Sequence, residues 1–174
     1  VFTFRKWGRH ESPLFLEYNF IEESEEDIIE WFKWKTRRLL SEYFVIQSDG
    51  KIIGYLSLKN INKILKKAEL GIVLDPNYIE QGIGKRILEL FLTYLKERGF
   101  KKIFLFAAHY NKRAIRCYEE LGFKKRYIFL MKFPNGSYDE SLPDFYENKS
   151  SFKIILNKTF NYAIKMDLDL ERDW

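Results

Sequence analysis

The sequence contains very little cysteine and histidine. Cys117 is its single cysteine, and His10 and His109 are its two histidines. One cysteine excludes an internal disulfide and a cysteine-rich zinc site. Two histidines are also few for a histidine-based metal cluster, so we expect no metal site.

Long apolar runs are missing as well. The longest wholly apolar stretch covers residues 103–108, whereas a membrane helix needs about 20 such residues. The first ten residues, VFTFRKWGRH, carry charges that interrupt any apolar core, unlike a signal peptide. We therefore expect a soluble, cytoplasmic protein with no membrane partner.

Basic residues are not gathered into a stripe. The formal net charge is +5, carried mostly by lysines scattered among acidic residues. This distribution favours solubility and suits a polyphosphate ligand, but binding to nucleic acid would need a continuous basic surface. We therefore expect no nucleic-acid partner.

The remaining composition is that of a globular protein, with 46% apolar and 32% charged residues. A chain of 174 residues can enclose one full core. No repeat or change of composition marks a boundary, so we expect a single domain over residues 1–174. Residues 134–151 are rich in Pro, Gly, Ser, Asp and Asn, which predicts a loop insertion.

Hydrophobic periodicity predicts strands mixed with helices. Predicted strands cover residues 2–7, 43–47, 51–59, 68–74, 101–107, 123–133, 152–156 and 162–168. Predicted helices cover residues 25–41, 83–98 and 112–121, with a shorter helical stretch at 14–21. This order predicts an α/β (α+β) fold with helices packed on a sheet, in which the two longest helical connections join strands that can be parallel neighbours.

A strand, a glycine-rich turn and a helix follow one another between Ala68 and Leu90. The turn ends in Gln81-Gly82-Ile83-Gly84. The first N–H groups of a helix have no partner within the helix, and its dipole adds partial positive charge there. Glycine lets an anion approach these groups closely. The stretch therefore predicts a phosphate site, which by itself fits a nucleotide, a sugar phosphate or a coenzyme.

A second segment runs from Asn111 to Phe123. Asn111 can cap the helix that follows, and Gly122 can end it. This segment resembles the Asn-x-x-Ala-x-x-x-Tyr-x-x-x-Gly-Phe pattern of GNAT-type N-acetyltransferases. Residues 69–85 resemble the acetyl-CoA motif of the same family, (Gln or Arg)-x-x-Gly-x-(Gly or Ala), except that Ile79 replaces its Gln or Arg.

The resemblance implies a mixed, mostly antiparallel, twisted sheet of six to seven strands, splayed between strands 4 and 5 and flanked by about four helices. The cosubstrate would be acetyl-CoA, held in the splay. It implies that the backbone of Ile72, Val73 and Leu74 pairs with the pantetheine arm. It assigns the pyrophosphate to Gln81, Gly82, Ile83, Gly84 and Lys85, and places Asn111 and Tyr118 against the cofactor.

The implied reaction is the direct transfer of acetyl to a primary amine. Tyr118 is the expected general acid, because a phenol of pKa roughly 10 is protonated at neutral pH and can donate to the departing thiolate. The alternative for Tyr118 is a core tyrosine. The expected base is Glu69 or His109, and a water chain without a single base is equally consistent.

The acceptor is open between a small cationic amine or antibiotic and a protein N-terminus. Acidic residues at 22–30 beside Trp31 and Trp34 would attract a cation, although acids at a helix start also stabilise its dipole. The 134–151 insertion would cap the acceptor site, form a dimer contact or remain a surface loop. An exposed final strand would favour a homodimer. The rival function is a catalytically idle acyl-CoA-binding sensor with the same fold.

Overall fold

The computed structural model describes residues 7–19, 25–37 and 39–174. Its helices are α1 (Glu25–Thr36), α2 (Ile83–Glu97), α3 (Lys112–Glu120) and α4 (Pro143–Glu147). Its strands are β1 (Glu42–Ser48), β2 (Lys51–Asn62), β3 (Lys67–Leu74), β4 (Lys102–Ala108), β5 (Lys124–Lys132), β6 (Phe152–Ile155) and β7 (Lys158–Asp169). Short 3-10 turns lie at Leu16–Tyr18, Pro76–Tyr78 and Lys149–Ser151.

All seven strands belong to one sheet, in the order β1, β2, β3, β4, β7, β5, with β6 paired to β7. The pair β3–β4 is parallel and the other pairs are antiparallel. This confirms the predicted fold class. The predicted parallel pairing holds for the strands joined by α2. The other long helical connection, expected over residues 25–41, follows the strand expected at residues 2–7, of which only residue 7 is described, so that pairing stays a prediction. The strands joined by α3 are not neighbours, because β7 lies between β4 and β5.

The position of β7 also corrects the expectation of an exposed final strand. β7 is paired on both sides, with β4 and β6 on one side and β5 on the other. Among the described strands, β1, β5 and the short β6 each have one unpaired side. The expected homodimer stays a prediction, but the last strand does not supply its edge.

Several predicted boundaries differ from the structure. The helix expected over residues 25–41 ends at Thr36, and Leu40 has a φ of +66°. The Leu40 carbonyl oxygen accepts a hydrogen bond from the N–H of Ile61, which ties this stretch to the end of β2. β7 begins at Lys158 rather than 162, because its first residues pair with β6. The strand expected at residues 2–7 falls almost wholly outside the described residues.

The main core lies between the sheet and helices α2 and α3. Leu92 and Leu95 of α2 are fully buried, as are Ile103 of β4 and Met166 of β7. α2 shows apolar residues at helical spacing, so one of its faces is covered by the sheet while its other face stays in water. This packing holds the beginning of α2 against the end of β3.

A second, smaller core contains Leu14, Tyr110, Phe133 and Phe145. Phe145 is on α4, so the predicted insertion 134–151 is folded against the domain. The Tyr110 ring stacks on that of Phe152 at 5.5 Å and 7°. None of the described helices is long and apolar enough to cross a membrane.

Candidate active site

The sheet opens between β3 and β4. These strands are paired only at Lys67–Lys102, Ala68–Ile103 and Glu69–Phe104, over the described residues. Beyond Glu69 they diverge, although β3 continues to Leu74. This gap is the predicted splay between strands 4 and 5. The sequence-based numbering began with the strand expected at residues 2–7, so its strands 4 and 5 are β3 and β4.

The backbone of β3 presents hydrogen-bonding groups to the gap. The N–H of Asp75 donates to the Ile53 carbonyl oxygen at 2.8 Å. Along an antiparallel strand, the backbone N–H and C=O groups of successive residues point alternately to the two sides. The backbone groups of residues 71 and 73 therefore also face β2, while those of residues 70, 72 and 74 face β4. Ile72 and Leu74 therefore offer their N–H and C=O groups to the gap. Val73 lines the cavity, but its backbone faces β2.

The glycine loop closes one end of the gap. Gly82 is the N-cap of α2, with a φ of +74° and no side-chain cap. Its carbonyl accepts from the N–H of Arg86 as the first bond of the helix. The N–H groups of Ile83, Gly84 and Lys85 precede that bond, so they are donors without partners inside the helix. This arrangement suits a phosphate group.

Close packing of α2 on β3 depends on Gly84. A Cβ atom at this position would lie 3.2 Å from Cδ1 of Leu74. The loop before it is fixed by Asp75, which is fully buried and accepts hydrogen bonds from the N–H groups of Gly8 and Asn77. The side-chain amide of Gln81 donates to the Asn77 carbonyl at 2.8 Å. Gln81 thus supports the loop from within.

Two ion pairs join the loop and α2 to α3. Lys85 Nζ lies 2.7 Å from Glu120 Oε2, and this hydrogen bond raises the pKa of Lys85. Arg113 lies 3.0 Å from Glu80. Both pairs are substantially exposed, and such pairs contribute about 0–1 kcal/mol of stability. Their main effect is to hold cationic groups beside the first turn of α2.

Helix α3 carries the expected acid. Asn111 caps this helix, because its Oδ1 accepts from the N–H of Ala114 at 3.1 Å. Asn111 and Tyr118 both line the cavity. The Tyr118 ring packs 5.8 Å from that of Phe123, and burial raises the pKa of Tyr118 above its ordinary value. The phenol therefore remains a proton donor across the neutral range.

The two expected bases lie in different places. Glu69 lines the cavity, and its Oε2 accepts from Asn60 Nδ2 at 2.7 Å. His109 is not among the lining residues. Its Nδ1 lies 2.7 Å from Ser151 Oγ, and burial, together with Lys112 and Lys125, lowers the pKa of His109. The structure thus brings Glu69 and Tyr118 to one cavity and leaves His109 outside it.

The cavity has a volume of about 710 Å³ and extends along the gap between β3 and β4. Of the expected cofactor residues, Gln81 and Ile83 are not among its lining residues. Ile79, the departure from the family motif, does line it. The remaining expected cofactor residues all line it: Ile72, Val73, Leu74, Gly82, Gly84, Lys85, Asn111 and Tyr118.

A group of residues missed by the sequence reasoning lines the same cavity. Glu17 and Tyr18 belong to the 3-10 turn Leu16–Tyr18 and share a side-chain hydrogen bond. Partial burial raises the pKa of Glu17, and this hydrogen bond lowers it to a lesser extent. The only signal in the sequence was a short helical pattern over 14–21, which says nothing of where its side chains point.

Asn161 of β7 also lines the cavity and is 1% exposed. Its Nδ2 donates to the Tyr162 carbonyl at 3.1 Å. Its Oδ1 has no hydrogen-bond partner among the described residues. A buried acceptor without a partner lowers the free energy of unfolding by about 1–3 kcal/mol, so the unpaired Oδ1 of Asn161 destabilises the fold.

The acidic start of α1 is not part of the cavity wall. Glu26, Asp27 and Glu30 are exposed and do not line it. Residues 22–24 of the predicted acidic cluster lie outside the described residues. Lys35, farther along α1, does reach the cavity and also lies over the rings of Trp31 and Trp34, at 5.5 and 5.2 Å.

The diverging parallel strands and the uncapped glycine-led helix are the features expected of one family. Residues 7–123 match the Acetyltransferase (GNAT) family. This match covers more than half of the chain, so the chain belongs to the GNAT acetyltransferase family. The predicted resemblance is confirmed.

Individual relatives are named as N-acetyltransferases. An uncharacterized N-acetyltransferase of Methanocaldococcus jannaschii is 32% identical over 104 residues, which are 56% of this chain and 46% of the relative. Spermidine N(1)-acetyltransferase of Escherichia coli K12 is 30% identical over 101 residues, 57% of this chain and 54% of the relative. The chain thus spans about half the length of these two.

A third relative is named for a protein substrate. The [ribosomal protein bS18]-alanine N-acetyltransferase of Escherichia coli K12 is 29% identical over 110 residues, 59% of this chain and 72% of the relative. Among solved structures, spermidine N-acetyltransferase of Vibrio cholerae with CoA and spermine has a TM-score of 0.65 at 21% identity. That match covers 90% of this chain and 81% of the other. At this identity the likeness supports the fold alone.

Proposed function

We propose that this chain is an acetyl-CoA-dependent N-acetyltransferase that transfers acetyl directly to a primary amine. The observation that carries the proposal is the gap between β3 and β4, which ends at the uncapped start of α2. The gap leaves one edge of β3 free to pair, the start of α2 suits an anion, and both lie in one cavity. A pyrophosphate joined to an amide-bearing arm requires both features.

The residues present fit this cosubstrate. The N–H groups of Ile83, Gly84 and Lys85 would hold the pyrophosphate, with Gly82 allowing close approach. Ile72 and Leu74 would pair with the pantetheine amides as an added strand. Acetyl-CoA would supply a thioester, whose carbonyl carbon accepts the amine. The N–H of a β3 residue facing the gap would stabilise the negative oxygen that forms there.

Tyr118 would donate its phenolic proton to the departing thiolate. Its position on α3 is set by the Asn111 cap and by packing against Phe123. Cys117, the preceding residue, has its pKa raised first by burial and then by Glu120. A raised pKa suppresses the thiolate, which argues against an acyl-cysteine intermediate and favours direct transfer.

The names of two relatives support a primary amine as the acceptor. Spermidine and an alanine of a ribosomal protein, the acceptors for which two relatives are named, correspond to the small-amine and protein acceptors that the sequence left open. Both present a primary amine, so the proposal is stated at that level. A dodecameric structure is described for the Vibrio cholerae spermidine N-acetyltransferase (TM-score 0.61, 20% identity, 89% of this chain, 80% of that chain). For this chain we retain the homodimer as the proposed assembly.

The test has two stages. Calorimetry with acetyl-CoA, ATP and NAD should show binding of acetyl-CoA alone. Release of free thiol from acetyl-CoA is then followed with spermidine, 1,4-diaminobutane and a peptide that begins with alanine. Thiol release that depends on the amine supports the proposal. Binding without turnover on any primary amine would instead identify an idle acyl-CoA-binding module.

A further inference from the structure

The cavity wall also contains a carboxylate that has no assigned role, that of Glu17. Glu17 follows Leu16 in a 3-10 turn, and both Glu17 and its hydrogen-bonding neighbour Tyr18 line the cavity. The segment lies before α1, far in sequence from the β3 and β4 residues expected to supply the base. Its position is therefore a result of tertiary folding.

This segment is fixed on both sides by side-chain amides. Asn19 bonds to both backbone groups of His10, accepting from its N–H at 2.6 Å and donating to its carbonyl at 3.0 Å. Asn135 Nδ2 donates to the Leu14 carbonyl at 2.9 Å, and the Leu14 side chain is buried in the second core. Glu17 is thus presented from a held backbone rather than from a free loop.

The surroundings of Glu17 are aromatic. The Tyr18 ring lies 6.4 Å from that of Phe15 and 6.3 Å from that of His10. Phe15 in turn lies 5.7 Å from Tyr110. Ring faces attract a cation and a carboxylate attracts it more strongly, so this corner suits an ammonium group.

The other carboxylates of the cavity are already engaged. Glu80 and Glu120 form ion pairs with Arg113 and Lys85. Glu69 accepts from the Asn60 amide. Glu17 has a phenol as its partner and forms no ion pair within the part of the chain that the structure describes. It is the cavity carboxylate best able to gain from an incoming cation.

The titratable groups around Glu17 leave it able to exchange protons. Tyr18 and Tyr110 both have their pKa raised, first by burial and also by the charge of Glu17, so both remain neutral donors. His10 has its pKa lowered by burial and by Arg113. The pKa of Glu17 itself is raised toward neutrality, which improves a carboxylate as a base.

We propose that Glu17 is the general base that takes protons from the acceptor amine, with Tyr18 as a positioning residue. This inference rests on the proposed function. The acceptor would be a primary ammonium on a carrier slender enough to bring its nitrogen into the corner formed by His10, Phe15, Glu17, Tyr18 and Tyr110.

The protons and electrons balance as follows. Glu17 takes one proton from the ammonium and releases it to water, and the neutral nitrogen forms a bond to the acetyl carbonyl carbon. The carbon–sulfur bond then breaks with its electron pair on sulfur, which takes the Tyr118 proton. Glu17 accepts the second proton from nitrogen and also releases it to water, and Tyr118 is reprotonated by water. One proton is released overall.

The test replaces Glu17 by its isostere and varies the pH. In E17Q, kcat/KM should fall about 100-fold at pH 7.5. It is measured with the amine that wild type acetylates best among spermidine, 1,4-diaminobutane and the alanyl peptide. The Kd for acetyl-CoA should stay within about twofold. Near pH 10 roughly a third of a primary alkylamine is neutral without help, against about 0.1% at pH 7.5, so the deficit should shrink to about fivefold or less. E17D should recover part of the activity.

Glu11→Gln is the matched control. Glu11 lies in the same segment and is exposed, as Glu17 is, but it does not line the cavity, so this variant should retain wild-type kinetics. The proposal is overturned if E17Q stays within twofold of wild type, if its deficit is equal at both pH values, or if only E69Q loses activity. A wild-type chain that turns over no amine would instead refute the proposed function.

Discussion

Tyr118 shows how folding keeps one side chain protonated, as its proposed role as general acid requires. Its place on α3 follows from the Asn111 cap at the start of that helix, and burial among apolar groups disfavours its phenolate. The pKa is raised, so the protonated form persists as the pH rises. A loss of activity at alkaline pH would then have a cause other than ionisation of Tyr118.

Tyr118→Phe should leave the Kd for acetyl-CoA within about twofold of wild type and lower kcat about 100-fold, because it removes only the acidic hydroxyl. Steady-state thiol release and calorimetry measure the two quantities. Tyr94→Phe is the matched control, since Tyr94 is 42% exposed on α2 and does not line the cavity. Equal kcat for Tyr118→Phe and wild type would remove Tyr118 from the mechanism.

At the scale of elements, the junction of β3 and α2 forms the proposed anion site. β3 ends at Leu74, and the carboxylate of the next residue, Asp75, accepts hydrogen bonds from two backbone N–H groups. α2 begins only after Gly82 has turned the chain. The positive φ of Gly82 is required for this geometry, whereas Gly84 is required for close packing on Leu74. The two glycines therefore serve separate purposes.

Gly82→Ala should lower stability by about 1–2 kcal/mol, since a Cβ is strained at a φ of +74°. It should also raise the Kd for acetyl-CoA about tenfold, as the displaced N–H groups lose roughly one charge-assisted hydrogen bond. Gly50→Ala is the control, because Gly50 has a φ of +73° in the turn between β1 and β2, away from the cavity. Equal Kd changes in both variants would exclude a specific role for Gly82.

At the scale of the whole molecule, the second core connects distant parts of the chain. Leu14, Phe133 and Phe145 pack together, and Asn135 donates to Leu14. The 134–151 segment thereby supports the wall that presents Glu17. The insertion therefore has a structural role and is not a free surface loop. A cap over the acceptor site stays a prediction.

Both histidines should make stability fall in mild acid. The pKa values of His10 and His109 are lowered from 6.5, first by burial in each case. The unfolded chain then binds protons more readily, so stability is full above about pH 6.5 and is lost as the pH falls. The raised pKa of Glu17 acts in the opposite direction, and its contribution is lost as the pH rises.

His109→Gln isolates one part of this effect. Its Tm should change less than that of wild type between pH 7.5 and pH 5.5, because the neutral amide has no proton to gain. Scanning fluorimetry at the two pH values measures the difference. Parallel Tm shifts in the two proteins would mean that His109 does not contribute.

Local signals were enough to locate, from the sequence alone, the strand-to-helix turn and the helix that we propose to hold acetyl-CoA. Gly82 and Gly84 mark a strand-to-helix turn, Asn111 marks a helix start, and their consequences act within a few residues. Non-local pairing was out of reach, because periodicity does not encode which strands become neighbours. Only the tertiary structure placed β7 between β4 and β5, left His109 bonded to Ser151 outside the cavity, and brought Glu17 into it. Each of these depends on contacts between residues distant in the chain, for which no short sequence pattern provides a physical signal.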